Sequence, residues 1–131
     1  MLLTTDTLID KKEVVQIDYS KQQKEKKIIL KEKCINHFIR LDTITYLMCD
    51  CYLTTVHTDT GDSYVIAKLL KEFEEELSPY GFVRGNRNVI INITHIRSCR
   101  SSGTRRVQLT NSISIDISRR GMGRLKEAIG L

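Results

Sequence analysis

No uncharged apolar stretch in this 131-residue chain approaches the roughly 18 residues that a membrane-spanning helix needs. The start, Met1-Leu2-Leu3-Thr4-Thr5-Asp6, has neither the charged opening nor the apolar block of a secretion signal. A cytoplasmic protein is the expectation, with no membrane partner. No nucleophile elbow, phosphate-binding loop or metal motif is present. An enzyme is therefore not expected, and no cofactor is implied. His37, His57 and His95 fall in separate strand candidates without paired-ligand spacing. Cys49-Asp50-Cys51 lacks the two-residue spacer of zinc pairs, and no second pair follows. No metal is expected. Strand alternation would put Cys49 and Cys51 on one face. Together with Cys34 and Cys99 they read as buried thiols in a reducing compartment. No internal repeat is detectable.

The scarcity that says most is that of carboxylates in the second part of the chain. Residues 1–77 hold 11 basic and 14 acidic side chains, a net of −3. Residues 78–131 hold 10 basic and 2 acidic, a net of +8, which restores the overall +5. The two acids are Asp116 and Glu127, and nine of the ten cations are Arg. Arg presents a planar fork that matches guanine edges and phosphate oxygens. A basic half of this kind favours a polyanion partner.

What is there otherwise is one domain's worth of chain, with 40% hydrophobic residues, slightly low for a globular chain, and 28% charged residues, as suits a soluble one. Residues 1–26 read as a separate, partly flexible leader and 27–131 as the domain. In the leader, Val14-Val15-Gln16-Ile17 is a strand candidate, and the polar, Lys-rich Ser20 to Lys27 reads as a linker. Strands are predicted at Ile28 to Leu30, Cys34 to Arg40, Tyr46 to Cys49, Leu53 to Thr58 and Ser63 to Ile66. Asp59-Thr60-Gly61-Asp62 turns the last pair. Ala67 to Leu77 is the clearest helix, with Leu69, Leu70, Phe73 and Leu77 as its apolar stripe. Ser78-Pro79 ends it, because the only proline in the chain has no amide hydrogen to donate. Phe82-Val83 is a short strand, Asn86 to Asn92 a turn or a single helical turn, and Ile93 to Cys99 a strand. Arg100 to Arg106 is a basic loop. Val107 to Leu109 and Ser114 to Ile117 make a hairpin. Ser118 can cap a last helix over Arg119 to Ile129, weakened in its first turn by Gly121 and Gly123. Leu125 and Ile129 would dock it. Many short strands with few helices argue a mainly antiparallel β domain.

In order and spacing, Phe82-Val83-Arg84, Asn86-Arg87, Ile90-Ile91-Asn92, Ile96 and Ser118-Arg119 resemble the LytTR family of bacterial DNA-binding domains. The likeness covers roughly Ile28 to Gly130. It implies a mainly β fold of ten short, mostly antiparallel strands with one mid-domain helix and a short C-terminal helix. It also implies sequence-specific binding of double-stranded promoter DNA through loops, with Arg87 and Arg119 as the principal contacts. A third contribution comes from the loop around Asp50-Cys51-Tyr52. Such domains are commonly the output half of two-component response regulators. They commonly bind repeated sites, so a homodimer on DNA is an expectation. The leader is too short for a phosphoacceptor domain, which leaves a stand-alone regulator or a piece of a longer one.

Three departures from the family pattern stand out. Asn86 replaces a His, Val89 replaces an aromatic residue, and Gly121 with Gly123 loosens the helix behind Arg119. Asn86 can still bond a base edge or brace its loop. Arg84 reads as either a brace or a DNA contact. Arg105 and Arg106 read as phosphate contacts or solvated charges. Arg120 is a further candidate contact, and Tyr52 either a contact or a buried strand residue. Asn92 reads as a satisfier of turn backbone. The rival reading is a protein-interaction module that meets an acidic partner through the same basic face.

Overall fold

The computed structural model describes residues 18–131. The leader strand expected at Val14 to Ile17 lies outside them. The described chain opens with helix α1 (Tyr19–Glu25) and a two-stranded sheet, β1 (Lys27–Glu32) and β2 (Ile35–Arg40). Strands β3 (Ile44–Asp50), β4 (Leu53–Thr58) and β5 (Ser63–Ile66) follow, then helix α2 (Leu70–Leu77), then β6 (Phe82–Asn86) and β7 (Val89–Asn92). These five strands form one antiparallel sheet in the order β5-β4-β3-β7-β6. Strands β8 (Ile96–Arg100), β9 (Arg106–Leu109) and β10 (Ser114–Asp116) form a third antiparallel sheet, and helix α3 (Arg119–Ile129) ends the domain. Among the described residues no helix is long and apolar enough to cross a membrane.

The period of two in the central strands explains the layering. In β7, Ile90 faces one apolar cluster while Val89 and Ile91 face the other. All four β7 residues are buried, as befits a strand between β3 and β6 with cover on both faces. On one face, Leu47, Val56, Ile66 and Ile90 pack against Ile28 and Leu30 of the β1–β2 hairpin and against Leu70, Phe73 and Leu77 of α2. On the other, Tyr46, Val89 and Ile91 pack against Val107, Leu109, Ile115 and Ile117, with Met122 and Leu125 of α3. The central sheet is therefore the middle layer of three.

Helix α2 is shorter than the predicted one. It starts at Leu70 because Leu69 is extended at the N-cap, where the Glu72 carboxylate accepts its amide hydrogen at 3.2 Å. Leu69 thus leaves the apolar stripe and is exposed. The cysteines also depart from expectation: Cys34 and Cys51 are exposed and Cys49 and Cys99 half-buried. Cys51 does not share a strand face with Cys49, because it turns the β3–β4 hairpin with φ at 59°. In 86–92 the turn is confined to Arg87 and Asn88, and Val89 onward is strand. Ile93–His95 is a single 3-10 turn before β8, not strand.

The largest departure is at the expected linker, which is helix α1. Gln23 is fully buried there. Its Nε2 donates to the Tyr80 carbonyl at 2.6 Å and to Asn92 Oδ1 at 2.9 Å. Asn92 Nδ2 returns a bond to Gln23 Oε1 at 3.0 Å and donates to the Ile44 carbonyl at 2.7 Å. Asn92 Oδ1 also accepts from the Thr94 amide at 3.1 Å, so Asn92 satisfies turn backbone as its type predicts. A local polar pattern cannot reveal this, since the bonded partners lie 57 and 69 positions away. Gln23→Ala should lower unfolding stability by about 1–3 kcal/mol, because Asn92 is left with an unmade buried bond. Urea unfolding checks this, and an unchanged midpoint would show that α1 is not docked.

Across β3 and β4, the Tyr46 and His57 rings stack with centroids 4.3 Å apart at 12°. Burial pushes the His57 imidazole below its ordinary 6.5 and the Tyr46 phenol above its ordinary 10.0. A folded-state imidazole pKa below the unfolded one means that the native state binds the proton less well. The associated stability is present above the ordinary imidazole value and is lost as pH falls through the folded one. His57→Phe should reduce the loss of thermal stability between neutral and mildly acidic pH. Melting curves across that window check the sign.

Candidate nucleic-acid interface

Register alone brings four connections to one end of the molecule. Met48 pairs with Val89, and the Cys49 amide reaches the Asn88 carbonyl at 2.9 Å. The β3–β4 turn and the β6–β7 turn therefore emerge side by side. Asn86 Nδ2 donates to the Asp116 carbonyl at 2.8 Å, tying the β6–β7 turn to the end of β10. Asp116 pairs with Arg106, and the Ile117 amide bonds the Arg105 carbonyl at 3.1 Å. This sets the β8–β9 loop beside the β10–α3 junction. Tyr52, Arg87, Arg105, Arg106 and Arg119 all come from these connections.

The α3 end is held by a close backbone approach. Gly85 is the extra residue in a bulge of β6, between Arg84 opposite Ile90 and Asn86 opposite Val89. The Gly85 carbonyl accepts from the Ser118 amide at 3.0 Å and from Ser118 Oγ at 3.3 Å. Ser118 Oγ in turn caps α3 by accepting the Gly121 amide at 2.9 Å. A Cβ on Gly121 would fall 2.5 Å from the Gly85 carbonyl carbon. Gly121, expected to loosen the helix, is what allows it to seat. A Cβ on Gly123 would meet nothing within 4 Å, so Gly123 plays no such part.

The arginines divide by what they touch. Arg84 donates to Glu74 Oε1 at 2.6 Å, to the Asn86 carbonyl at 3.1 Å and to the Arg87 carbonyl at 2.9 Å. Its fork is engaged in shaping the turn. Asn86 is likewise engaged, with Oδ1 accepting from the Asn88 amide at 2.7 Å besides its bond to β10. Arg106 pairs with Asp116 at 3.1 Å on the surface. Arg105 is half-buried, and its Nε has no hydrogen-bond partner among the described residues. Arg87, Arg119 and Arg120 are exposed and make no ion pair among the described residues. Tyr52 is 80% exposed at the hairpin tip, not a buried strand residue.

A groove of about 450 Å³ runs past Arg84, Arg87, Ser118, Arg120 and Arg124, with Glu74 the one carboxylate in its lining. A second hollow of about 650 Å³, with Met48 and Asp116 in its wall, adjoins Arg87 and Arg106. Arg87 lines both, standing on the ridge between them. The positive end of α3 faces the same way, which further favours an anion. Sequence reading missed Arg124, although it lies one helical turn beyond Arg120 and so on the same face. Glu74 carried no local signal, being ten positions from the arginine it holds.

A three-layer β scaffold that gathers loops and arginines at one end has the architecture and charge of a polyanion-binding module. The chain belongs to the LytTr DNA-binding domain family, whose family model matches residues 35–130. It is 32% identical over 97 residues to the transcriptional regulatory protein LytR of Staphylococcus aureus strain N315, covering 72% of this chain and 39% of that protein. It is 34% identical over 97 residues to the sensory transduction protein LytR of Staphylococcus haemolyticus, covering 72% of this chain and 38% of that one. The chain thus spans well under half the length of these relatives. A solved LytTr DNA-binding domain from Bacillus cereus superposes with a TM-score of 0.69 at 20% identity, over 80% of this chain and 97% of that one. The fold is that of this family, as the sequence resemblance implied.

The Gly85 contact predicts opposite effects of two neighbouring substitutions. Gly121→Ala should destabilise by about 1–3 kcal/mol through overpacking against backbone. Gly123→Ala should stabilise by up to about 1 kcal/mol, as helix propensity dictates where space is free. Chemical denaturation of the two variants decides it; equal shifts would remove the packing argument.

Proposed function

We propose that this chain binds double-stranded promoter DNA sequence-specifically, as a bacterial transcriptional regulator acting in the cytoplasm and not as an enzyme. The observation that supports it best is the contrast among arginines at the loop end. Arg84 and Arg106 are engaged with carboxylates, while Arg87 and Arg119 project from two different connections without such partners among the described residues. Two cations on separate loops can enter neighbouring major-groove segments, each forking onto a guanine. Tyr52 extends the contact from the β3–β4 turn. Arg105, Arg106 and Arg120 set the register on phosphates. Arg84 and Asn86 act one step back, by holding the backbone of the turn that carries Arg87. Repeated sites would seat a homodimer.

Selection of random duplexes by the purified protein gives the preferred site. On that site Arg87→Ala and Arg119→Ala should each cost about 1–3 kcal/mol, with preference relaxed at a different base position in each. Arg105→Ala or Arg106→Ala should weaken all sequences alike and reduce the salt slope by about 1. Competition against single-base variants is the measurement. Equal losses on every variant would make Arg87 and Arg119 phosphate anchors, and no selected duplex at all would sink DNA binding.

A further inference from the structure

We propose that the open edge of β2 is a docking site for an acidic, extended segment of another protein, which joins the β1–β2 hairpin as a third strand. Register settles which backbone groups face outward. Lys27 pairs with Arg40, and one step further the Leu41 amide bonds the Lys26 carbonyl at 2.9 Å. Antiparallel ladders alternate between bonded and non-bonded pairs. Ile28 with Ile39, Leu30 with His37 and Glu32 with Ile35 are therefore the bonded pairs. The backbone groups of Asn36, Phe38 and Arg40 point away from β1. Thr43 Oγ1 donates to the Arg40 carbonyl at 2.7 Å. Among the described residues no strand pairs with β2 on that side, and the outward groups of Asn36 and Phe38 have no backbone partner.

The residues with outward backbone groups also carry the exposed side chains. Phe38 is 63% exposed and Ile29, opposite it, 55%. Lys27, Lys31 and Arg40 surround that pair, with Asp42 holding the Arg40 fork at 3.1 Å. Residues 21–40 hold 7 basic and 2 acidic side chains, a net of +5, inside a half of the chain whose net is −3. Of the two acids, Glu25 and Glu32, the second is bonded to His37 at 3.2 Å. Lysine on an edge strand ordinarily keeps other strands away. Here the cations border exposed apolar side chains instead of replacing them. They repel a second copy of the same hairpin and attract a segment that alternates carboxylates with apolar residues. Nucleic acid would leave Ile29 and Phe38 without apolar contact. Lipid cannot supply the alternating donors and acceptors that an added strand supplies to an edge. Phe38 and Arg40 also border a hollow of about 240 Å³, with Asp62 the one carboxylate in its lining, where a side chain of the added strand can sit. Ile28 and Leu30, on the hairpin's inner side, belong to the cluster on the opposite face of the central sheet from α3. The edge is therefore separate from the loop-end arginines, and the proposal does not rest on the DNA reading.

Amide hydrogen exchange in the full chain, resolved by residue, tests it. The probe is a peptide of about six residues, an ordinary strand length, that alternates glutamate with valine and phenylalanine. Its control carries lysine at every glutamate position. In the free protein the Asn36 and Phe38 amides should exchange fast. The acidic peptide should slow both, and the lysine peptide neither. Phe38→Thr should weaken the acidic peptide about two- to fivefold, the worth of one cross-strand pair. The double variant Lys27→Glu with Lys31→Glu should lose the preference for it. A selected duplex added in parallel should leave peptide binding unchanged. Amides already slow in the free chain overturn the proposal, because the edge is then covered. Slowing that grows with protein concentration alone also overturns it, in favour of a second copy. So does protection by anionic lipid vesicles but not by the peptide, equal binding of both peptides, or displacement of the peptide by the duplex. Absence of any duplex binding counts against the DNA reading alone, since exchange at Asn36 and Phe38 decides the edge in either case.

Discussion

The approach of Gly121 to the Gly85 carbonyl is the constraint on which the loop end depends. The Ser118 hydroxyl can cap α3 and bond Gly85 at once only if the helix start sits directly on β6. Any side chain at Gly121 would hold the two apart. Separation would move Arg119 and Arg120 relative to Arg87, since all three reach the solvent within a few residues of that contact. The bulge at Gly85 belongs to the same device. It lets Arg84 turn back onto the Asn86 and Arg87 carbonyls, while the backbone on its other side faces α3. Local backbone geometry, more than side-chain packing, thus sets the spacing of the exposed cations.

Scarcity of carboxylates does the rest. Glu74 comes from α2, on the far side of β6 from α3, and it pairs with Arg84, whose fork also bonds the Asn86 and Arg87 carbonyls. Asp116 holds Arg106 at the surface, where an exposed pair contributes little to stability. Arg87, Arg120 and Arg124 are left to repel one another across the groove. Two apolar layers on either side of the central sheet offset that repulsion. A polyanion entering the groove relieves it, so the cost of the cluster in the free domain becomes part of the driving force for binding.

Much of this was legible in the residues, and the reasons for the exceptions are specific. Strand positions followed from β-branched runs, because a period of two survives burial on one face or both. The gathering of arginines at one end was legible through the resemblance and the lopsided charge. Helix α1 was not, because Ser20 to Lys27 is polar in composition and only a partner some seventy positions away makes Gln23 a core residue. Leu69 misled through spacing: it fits the stripe, but the chain is still extended there and its side chain turns outward. Gly121 misled through propensity, since a helix scale sees the lost Cβ and cannot see the backbone that needs its absence. The exposure of Tyr52 and Cys51 was hidden for a related reason. Alternation predicts faces only while a strand lasts, and this one ends at Asp50.

The two poles of the central sheet are consequently built on opposite principles. At the pole of Asn92, buried amides from α1, the turn before β8 and the approach to β3 satisfy one another. Such a network tolerates few alternative arrangements, because each unmade bond leaves a desolvated polar group. At the loop pole Arg87, Arg119 and Arg120 are exposed and make no ion pair among the described residues, and only their backbones are fixed. Rigidity at one end and unsatisfied charge at the other are connected through β3, β6 and β7, which run between them. A loop-based reader of a polyanion needs that combination. Its tips must be free to bond, yet their spacing must not vary, and a twisted sheet anchored at its far end supplies a fixed spacing that free loops lack.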